Sequence, residues 1–274
     1  MPELPEVETI VADLRPHLTG RTIMDCELRF PTMVRYPEPE VFARSVRGAH
    51  IVDARRRGKY IFLGLEGGAT IVVHLGMSGQ LRLVDPQTPF ESHTHVVFGL
   101  DDGRQLRYRD PRRFGRLLYG TEPELIAMRA LPDLGPEPID PAFGAGDLYR
   151  RIHHRRAPLK ALLLDQAAVA GIGNIYADES LYRARLRPDR RGNTVSKNAA
   201  VRLHQALRES LELGIANRGA SVDTYRDAWG EIGGQQEQLL VYGRAGQPCF
   251  NCGRPLSLVR IAGRSTVFCR RCQH

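Results

Sequence analysis

Lysine is nearly missing from this 274-residue chain: it has 36 arginines but only three lysines, Lys59, Lys160 and Lys197. A drift of Lys to Arg in a GC-rich genome accounts for the imbalance. A lysine that survives such drift then points to a special need, because an ammonium can give up its proton and a guanidinium in practice cannot. Long apolar runs are also missing. No stretch of 18 apolar residues occurs, which excludes an ordinary membrane-spanning helix. The start has no basic segment followed by an apolar one, which argues against a secretion signal, so a cytoplasmic protein is expected. Cysteine is nearly confined to the tail: four of the five lie in the last 26 residues, and Cys26 stands alone in TIMDCELRF, where it reads as a small buried strand residue. Acidic residues are absent from 241–274, a segment with six arginines.

What is present is basic and of ordinary globular composition. The chain is 42% hydrophobic and 26% charged, with net charge +8 and pI near 9.5. Such a balance favours polyanionic partners, nucleic acid first. The segment RRIHHRRAPLK (150–160) concentrates five Arg or Lys and two His.

The first element reads as an amphipathic helix. Val7, Ile10, Val11, Leu14 and Leu18 follow its spacing, with Pro5 in the first turn and Gly20 at the stop. The chain start therefore sits beside the positive end of a helix dipole. Residues 22–120 read as short strands joined by Gly-rich turns, interrupted by a helix in PEPEVFARSVRG, which suggests an antiparallel sandwich or barrel. LPDLGPEPIDPAF (131–143), with four prolines, reads as a linker. Beyond it the pattern is helical: LKALLLDQAAVA, a GIGN turn, IYADESLYRARL, then a helix over 197–217 capped by Ser196. Residues 219–238 read as a loop, and 239–274 as a metal module.

Cys249-x2-Cys252 and Cys269-x2-Cys272, sixteen residues apart, have the spacing of a four-thiolate zinc site. Two disulfides would need an oxidising compartment, which the lack of a secretion signal disfavours. Four filled positions make the zinc structural. Two strand-like halves between the cysteine pairs meet at Ala262-Gly263-Arg264, so Arg264 projects from a hairpin tip. The six arginines, four thiolates and one Zn²⁺ sum to about +4. Such a hairpin suits gripping phosphate, and an oligomerisation module is the alternative. GIGN leads into a helix N-terminus, where backbone N–H groups and Asn174 can bind phosphate. Two packed helices joined by a glycine turn are the alternative.

Removal of Met1 would leave Pro2 as a secondary amine. An α-amino group has a pKa near 8, against about 10.4 for lysine, and the helix dipole lowers it further. Attack on a sugar carbon gives an iminium that cannot lose its charge and drives elimination at the adjacent carbon. Glu3 and Glu6 lie beside it as proton donor or electrostatic partner.

Together these features resemble the bacterial formamidopyrimidine-DNA glycosylases, also called 8-oxoguanine DNA glycosylases or MutM. The resemblance runs through MPELPEVET, RRGKY, HLGMSGQL, DPRRFGR, LLLDQAAVAGIGNIYADESL, VYGRAGQPC and GRSTVFCRRCQ, in order, over nearly the whole chain. It implies an α+β multidomain fold: an N-terminal catalytic β-sandwich flanked by helices (1–133), a linker (134–145), a helical helix–two-turn–helix domain (146–238) and a zinc-finger β-hairpin (239–274), with DNA in the cleft between them. It implies a bifunctional glycosylase and lyase of base excision repair that flips oxidised purines out of damaged double-stranded DNA. A monomer is the default expectation, since nothing in the sequence suggests a self-association surface, and no membrane partner is expected. Pro2 would be the Schiff-base nucleophile at C1′, Glu3 the proton donor near the sugar and Glu6 its electrostatic support. Lys59 would donate a proton for elimination, and Arg264 would contact phosphate and assist the second elimination. His93, Arg156, Lys160 and Asn174 would hold the DNA backbone. Met77, Arg112 and Phe114 would fill the hole left by the flipped base.

Three departures stand out: Gly233-Gly234-Gln235-Gln236 lacks the usual aromatic before Gln, Thr94 replaces a common Asp between His93 and His95, and residue 157 is Ala. The related endonuclease VIII branch usually begins MPEGPE, and Leu4 with PEVE here favours the purine branch. A non-catalytic DNA-binding descendant conflicts with intact Pro2, Glu3 and Lys59. An RNA-binding zinc ribbon leaves the N-terminal motif unexplained.

Overall fold

The computed structural model describes residues 2–274. The chain forms two compact units, one of residues 1–132 with 217–234 and the other of 133–216 with 235–274.

The first unit opens with α1 (Leu4–Leu18), whose apolar stripe Val7, Ile10, Val11, Leu14 and Leu18 is fully buried. It continues through β1 (Ile23–Leu28), β2 (Val34–Tyr36), α2 (Pro39–Val46), β3 (Ile51–Arg57), β4 (Tyr60–Leu65), β5 (Thr70–His74), β6 (Gln80–Val84), β7 (Thr94–Leu100), β8 (Gln105–Arg109), β9 (Arg116–Gly120) and α3 (Glu122–Ala127). The strands form two sheets, ordered β1-β7-β8-β6 and β2-β9-β5-β4-β3. All pairings are antiparallel except β2 with β9. The central strands are buried nearly throughout, and alternate side chains, such as Val96, Phe98 and Leu100 of β7 and Ile61, Leu63 and Leu65 of β4, enter one shared core. Phe98, Leu106 and Tyr108 of one sheet and Ile61, Leu63, Ile71, Val73 and Leu117 of the other join the α1 stripe in one apolar cluster. This is the expected sandwich.

The second unit holds α4 (Ala145–His153), α5 (Leu159–Leu164), α6 (Asn174–Arg183), α7 (Lys197–Ala216), β10 (Ser257–Ile261) and β11 (Arg264–Phe268). Ser196 caps α7 as expected, its Oγ accepting from the Ala199 amide at 3.2 Å. Helix α5 is shorter than the Leu- and Ala-rich LKALLLDQAAVA suggests. It stops at Leu164 because the Asp165 carboxylate accepts from the Ala167 amide at 3.1 Å and pairs with Arg155 at 2.7 Å, giving the backbone a local alternative to the helix.

Residues 217–234, which sequence places with the helical domain, pack in the first unit instead. Arg218 pairs with both Asp13 and Asp227, and the Gln80 side-chain amide donates to the Thr224 carbonyl at 2.7 Å. Tyr225 and Ala228 of this segment enter the sandwich core.

Candidate active site and nucleic-acid interface

Three charged groups of the expected active site are buried in the first unit: Glu3, Glu6 and Lys59 are 2%, 1% and 6% exposed. Pro2, just before α1, is buried too. Glu3 is the N-cap residue of α1, and its amide donates to Glu6 Oε2 at 2.8 Å. The other oxygen of Glu6 accepts from the Ala220 amide at 2.8 Å, so one carboxylate ties the helix start to the 217–234 segment. The Tyr225 hydroxyl donates to the Glu6 and Arg218 carbonyls. Burial, with the nearby Glu6 carboxylate, pushes its phenol well above the usual range.

Lys59 sits at the second position of the two-residue turn between β3 and β4, where Arg57 pairs with Tyr60. Gly58 takes the first position with φ 57°, a conformation that favours glycine. Next to this turn, Arg56 donates to Glu8 of α1 at 2.7 Å and to the Gly58 carbonyl at 3.1 Å. The lysine turn is thereby docked on the first turns of α1.

Met77, Arg112 and Phe114 lie on two loops that touch, 75–79 and 110–115. A Cβ at Gly76 would come within 2.6 Å of the Phe114 carbonyl carbon, so only glycine permits this approach. Phe114 is 57% exposed, and the Arg112 guanidinium lies 5.0 Å from its ring centre. A large aromatic held out in water is a poor core residue and suits a wedge.

The fixing group is Asp110, which sequence does not single out. It is fully buried, and its carboxylate accepts from Ser78 Oγ (2.6 Å), the Gly115 amide (2.8 Å), the Arg112 amide (3.2 Å) and the Tyr108 hydroxyl (3.3 Å). Its amide donates to the carbonyl of His93, a residue held at φ 66°. Thr94, between the histidines, bonds the Glu91 carbonyl at 2.8 Å. His74 supports the same loops: its Nδ1 accepts from the Gly76 amide at 3.2 Å. Burial, with help from Arg116 and Lys59, lowers its pKa to about 4, so the ring is neutral near pH 7.

In the second unit, Asn174 opens α6 after Gly171-Ile172-Gly173. Gln166, also unremarked in the sequence, scaffolds the turn: its amide donates to the Leu164 and Ile172 carbonyls and its oxygen accepts from the Gly171 amide. Asn174 Oδ1 is shielded from solvent without a hydrogen-bond partner. Arg156 is exposed.

Lys160 is the clear correction. The family resemblance assigns it to the DNA backbone, yet it is 0% exposed. Its ammonium pairs with Asp178 at 2.7 Å and donates to the Ser265 carbonyl at 2.9 Å. A group sealed in this way does not reach a phosphate. Burial, partly offset by Lys160, pushes Asp178 up to about 6.

The four cysteine sulfurs lie within 4.8 Å of one another. Cys249–Cys272 and Cys252–Cys269 are separated by 3.9 and 3.5 Å. A tetrahedral ion with Zn–S near 2.3 Å needs sulfurs about 3.8 Å apart. The donor set therefore fits one structural zinc with no position open for water. Asn251 Nδ2 lies 3.2 Å from Cys272 Sγ and the Tyr182 hydroxyl 3.2 Å from Cys249 Sγ, supplying outer hydrogen bonds to the sulfurs. Arg264 is exposed and follows the two-residue turn Ala262-Gly263, whose residues have φ 49° and 73°.

At position 234, where the expected aromatic is missing, a Cβ would meet only the Asn217 carbonyl at 3.7 Å. The backbone leaves room for a side chain there, so sterics do not explain the glycine.

Comparison with known proteins agrees along the whole chain. Residues 1–117 match the formamidopyrimidine-DNA glycosylase N-terminal domain, 134–226 its H2TH domain, and 246–274 the zinc finger found in FPG and IleRS. The chain is 49% identical over 260 residues to the formamidopyrimidine-DNA glycosylase of Moorella thermoacetica, covering 95% of each. It is 43% identical to that of Desulforamulus reducens, covering 100% of this chain and 99% of the relative. The crystal structure of MutM (FPG) from Thermus thermophilus superposes with a TM-score of 0.90 at 42% identity, covering 99% of this chain and 98% of that one. The wild-type Lactococcus lactis Fpg (MutM), in complex with benzyl-Fapy-dG-containing DNA, superposes with a TM-score of 0.92 at 33% identity over 100% of both chains. Matches at this identity, running the length of both partners and through all three domains, mean that the chain belongs to the formamidopyrimidine-DNA glycosylase family.

Proposed function

We propose that this protein excises oxidised purines, 8-oxoguanine and formamidopyrimidines, from duplex DNA and then nicks the strand at the vacated sugar. The start of α1 carries the reading: Pro2 is followed by two buried carboxylates, one held by amides from two separate segments. Such a cluster is costly to fold and gains its value from chemistry.

With Met1 removed, the Pro2 nitrogen attacks C1′ as the bond to the damaged base breaks. Glu3 delivers a proton to the opening sugar, and Glu6 keeps the helix start in place. The resulting iminium acidifies C2′. Loss of that proton expels the 3′ phosphate, and a second elimination expels the 5′ phosphate. Lys59 moves protons during elimination, and Arg264 neutralises the phosphate that leaves second. Water then hydrolyses the iminium and frees Pro2. The lesion reaches the amine only out of the stack. Phe114 wedges the step open, and Met77 and Arg112 fill the space opposite the orphaned cytosine. Asn174 and the α6 N-terminus, Arg156 and His93 grip backbone phosphates. The zinc stiffens the hairpin and takes no part in the chemistry.

The test is a duplex with one 8-oxoguanine opposite cytosine. The expected products are free 8-oxoguanine and a strand cut on both sides of the lost nucleoside. An intact strand, with thymine glycol duplex cut instead, would reject the purine reading.

A further inference from the structure

We propose that the buried Lys160–Asp178 ion pair is a positioning device for Arg264, acting as the missing neighbour strand of the zinc hairpin. The inference rests on the role given above to Arg264. In the hairpin, Ile261 pairs with Arg264 across the two-residue turn, Arg260 with Ser265, Val259 with Thr266 and Leu258 with Val267. Hydrogen-bonded and non-hydrogen-bonded pairs alternate along an antiparallel ladder, and a two-residue turn is closed by a hydrogen-bonded pair. The backbone groups of Ser265 and Val267 therefore point away from β10, toward an edge where no strand lies among the described residues. Val267 is buried, and an unmatched amide there would be destabilising, while Ser265 stands at the exposed end of the same edge.

Lys160 and Asp178 meet that edge in the correct polarity. The ammonium donates to the Ser265 carbonyl at 2.9 Å, and Asp178 Oδ2 accepts from the Val267 amide at 3.0 Å. The two side chains neutralise each other at 2.7 Å, with 0% and 1% exposure. Lys160 comes from α5 and Asp178 from α6, so the strand is pinned to two helices at once. The pinned residues are the first and third after Arg264. Fixing Ser265 fixes the chain direction at its neighbour, while the Arg264 side chain remains exposed. A buried ion pair is a poor source of net stability compared with well-packed apolar groups, and its use is to specify one arrangement. The near-absence of lysine elsewhere fits the same reading: the site takes a compact point charge with donors in several directions, and a planar guanidinium does not replace it.

The experiment uses the full zinc-loaded chain on duplex DNA with a preformed abasic site, and reads the ratio of double-elimination to single-elimination product. Lys160→Met and Asp178→Asn each break the pair. The double variant Lys160→Met/Asp178→Leu removes both charges and keeps the volume packed. Zinc content and borohydride trapping at Pro2 are measured alongside, and Arg264→Ala is the reference. The expected result is a fall in the ratio of at least ~10-fold in the double variant, approaching Arg264→Ala, with zinc and trapping within about two-fold of the parent. An unchanged ratio in the zinc-retaining double variant overturns the proposal. So does a ratio that falls only in step with zinc loss. An unchanged ratio in Arg264→Ala, with trapping at Pro2 intact, locates the failure in the role of Arg264 and removes what the clamp was to position.

Discussion

The loops that carry Met77 and Phe114 and the hairpin that carries Arg264 are held in place by different chemistry. The loops stand on a sandwich whose apolar cluster gathers 28 buried residues, and a single buried carboxylate, Asp110, fastens them. The hairpin belongs to a cluster of five buried residues, two of them cysteines. So small a core does not hold a strand pair in water. Thiolates around a metal hold the hairpin together instead, and a buried ion pair sets its orientation. A large core lets one polar hub aim a loop, whereas a small module needs strong bonds for both folding and aim.

The first way to break this contrast is to remove the zinc. Chelation, or Cys269→Ser, withdraws a stabilisation on the order of 10 kcal/mol. It is expected to unfold the hairpin and cut affinity for abasic-site DNA by at least ~100-fold. Near-unchanged amide-exchange protection in β4, β5 and β9 is expected in the same sample. Loss of protection in those strands would show that the two regions do not stand independently.

A smaller effect is expected at Asp110. Asp110→Asn turns a nitrogen toward either the Arg112 or the Gly115 amide, each a pure donor, so a buried backbone N–H loses its carboxylate acceptor, at about 2–4 kcal/mol. Urea unfolding measures the loss. Exchange of the Gly115 amide should quicken while zinc binding holds. An unchanged midpoint would remove Asp110 as the hub.

The last effect, comparable in total but spread over a pH range and so smaller at any one pH above 4, is a pH dependence from His74. Its folded pKa is about 4, below the unfolded value of 6.5. Above pH 6.5 the ring is neutral in both states and the group adds no pH slope. Between 6.5 and 4 the unfolded chain takes up the proton first, so stability falls as pH falls. The total is roughly 3 kcal/mol once below pH 4. Urea midpoints of the parent and His74→Gln, compared from pH 7.5 to 4.5, should show a flatter slope in the variant. Equal slopes would mean that the ring is protonated as easily when folded as when free.

How much of this is legible in the sequence follows from the kind of force involved. The stripe Val7, Ile10, Val11, Leu14 and Leu18 shows because burial on a helix imposes a period. The cysteine spacing shows because a tetrahedral ion imposes a distance. Asp110, Gln166 and Asp178 do not show. A buried polar group answers to donors brought from far along the chain, and it leaves no period. Residues 219–238 read as a loop of the helical domain because the partners of this segment in the first unit, Asp13 for Arg218 and Gln80 for Thr224, lie more than 140 residues away in sequence. The scarcity of lysine marks Lys160 as special without naming its partner: a basic run ahead of a helix does not say which of its members turns inward.

A nucleophilic Pro2 leaves a covalent trace that can be captured. The protein is mixed with 8-oxoguanine duplex, reduced with borohydride, digested and weighed. The expected product is a sugar adduct on a peptide that begins at Pro2. An adduct carried by Lys59 instead, or no adduct from protein shown to lack Met1 and to hold zinc while the base is still released, would contradict it.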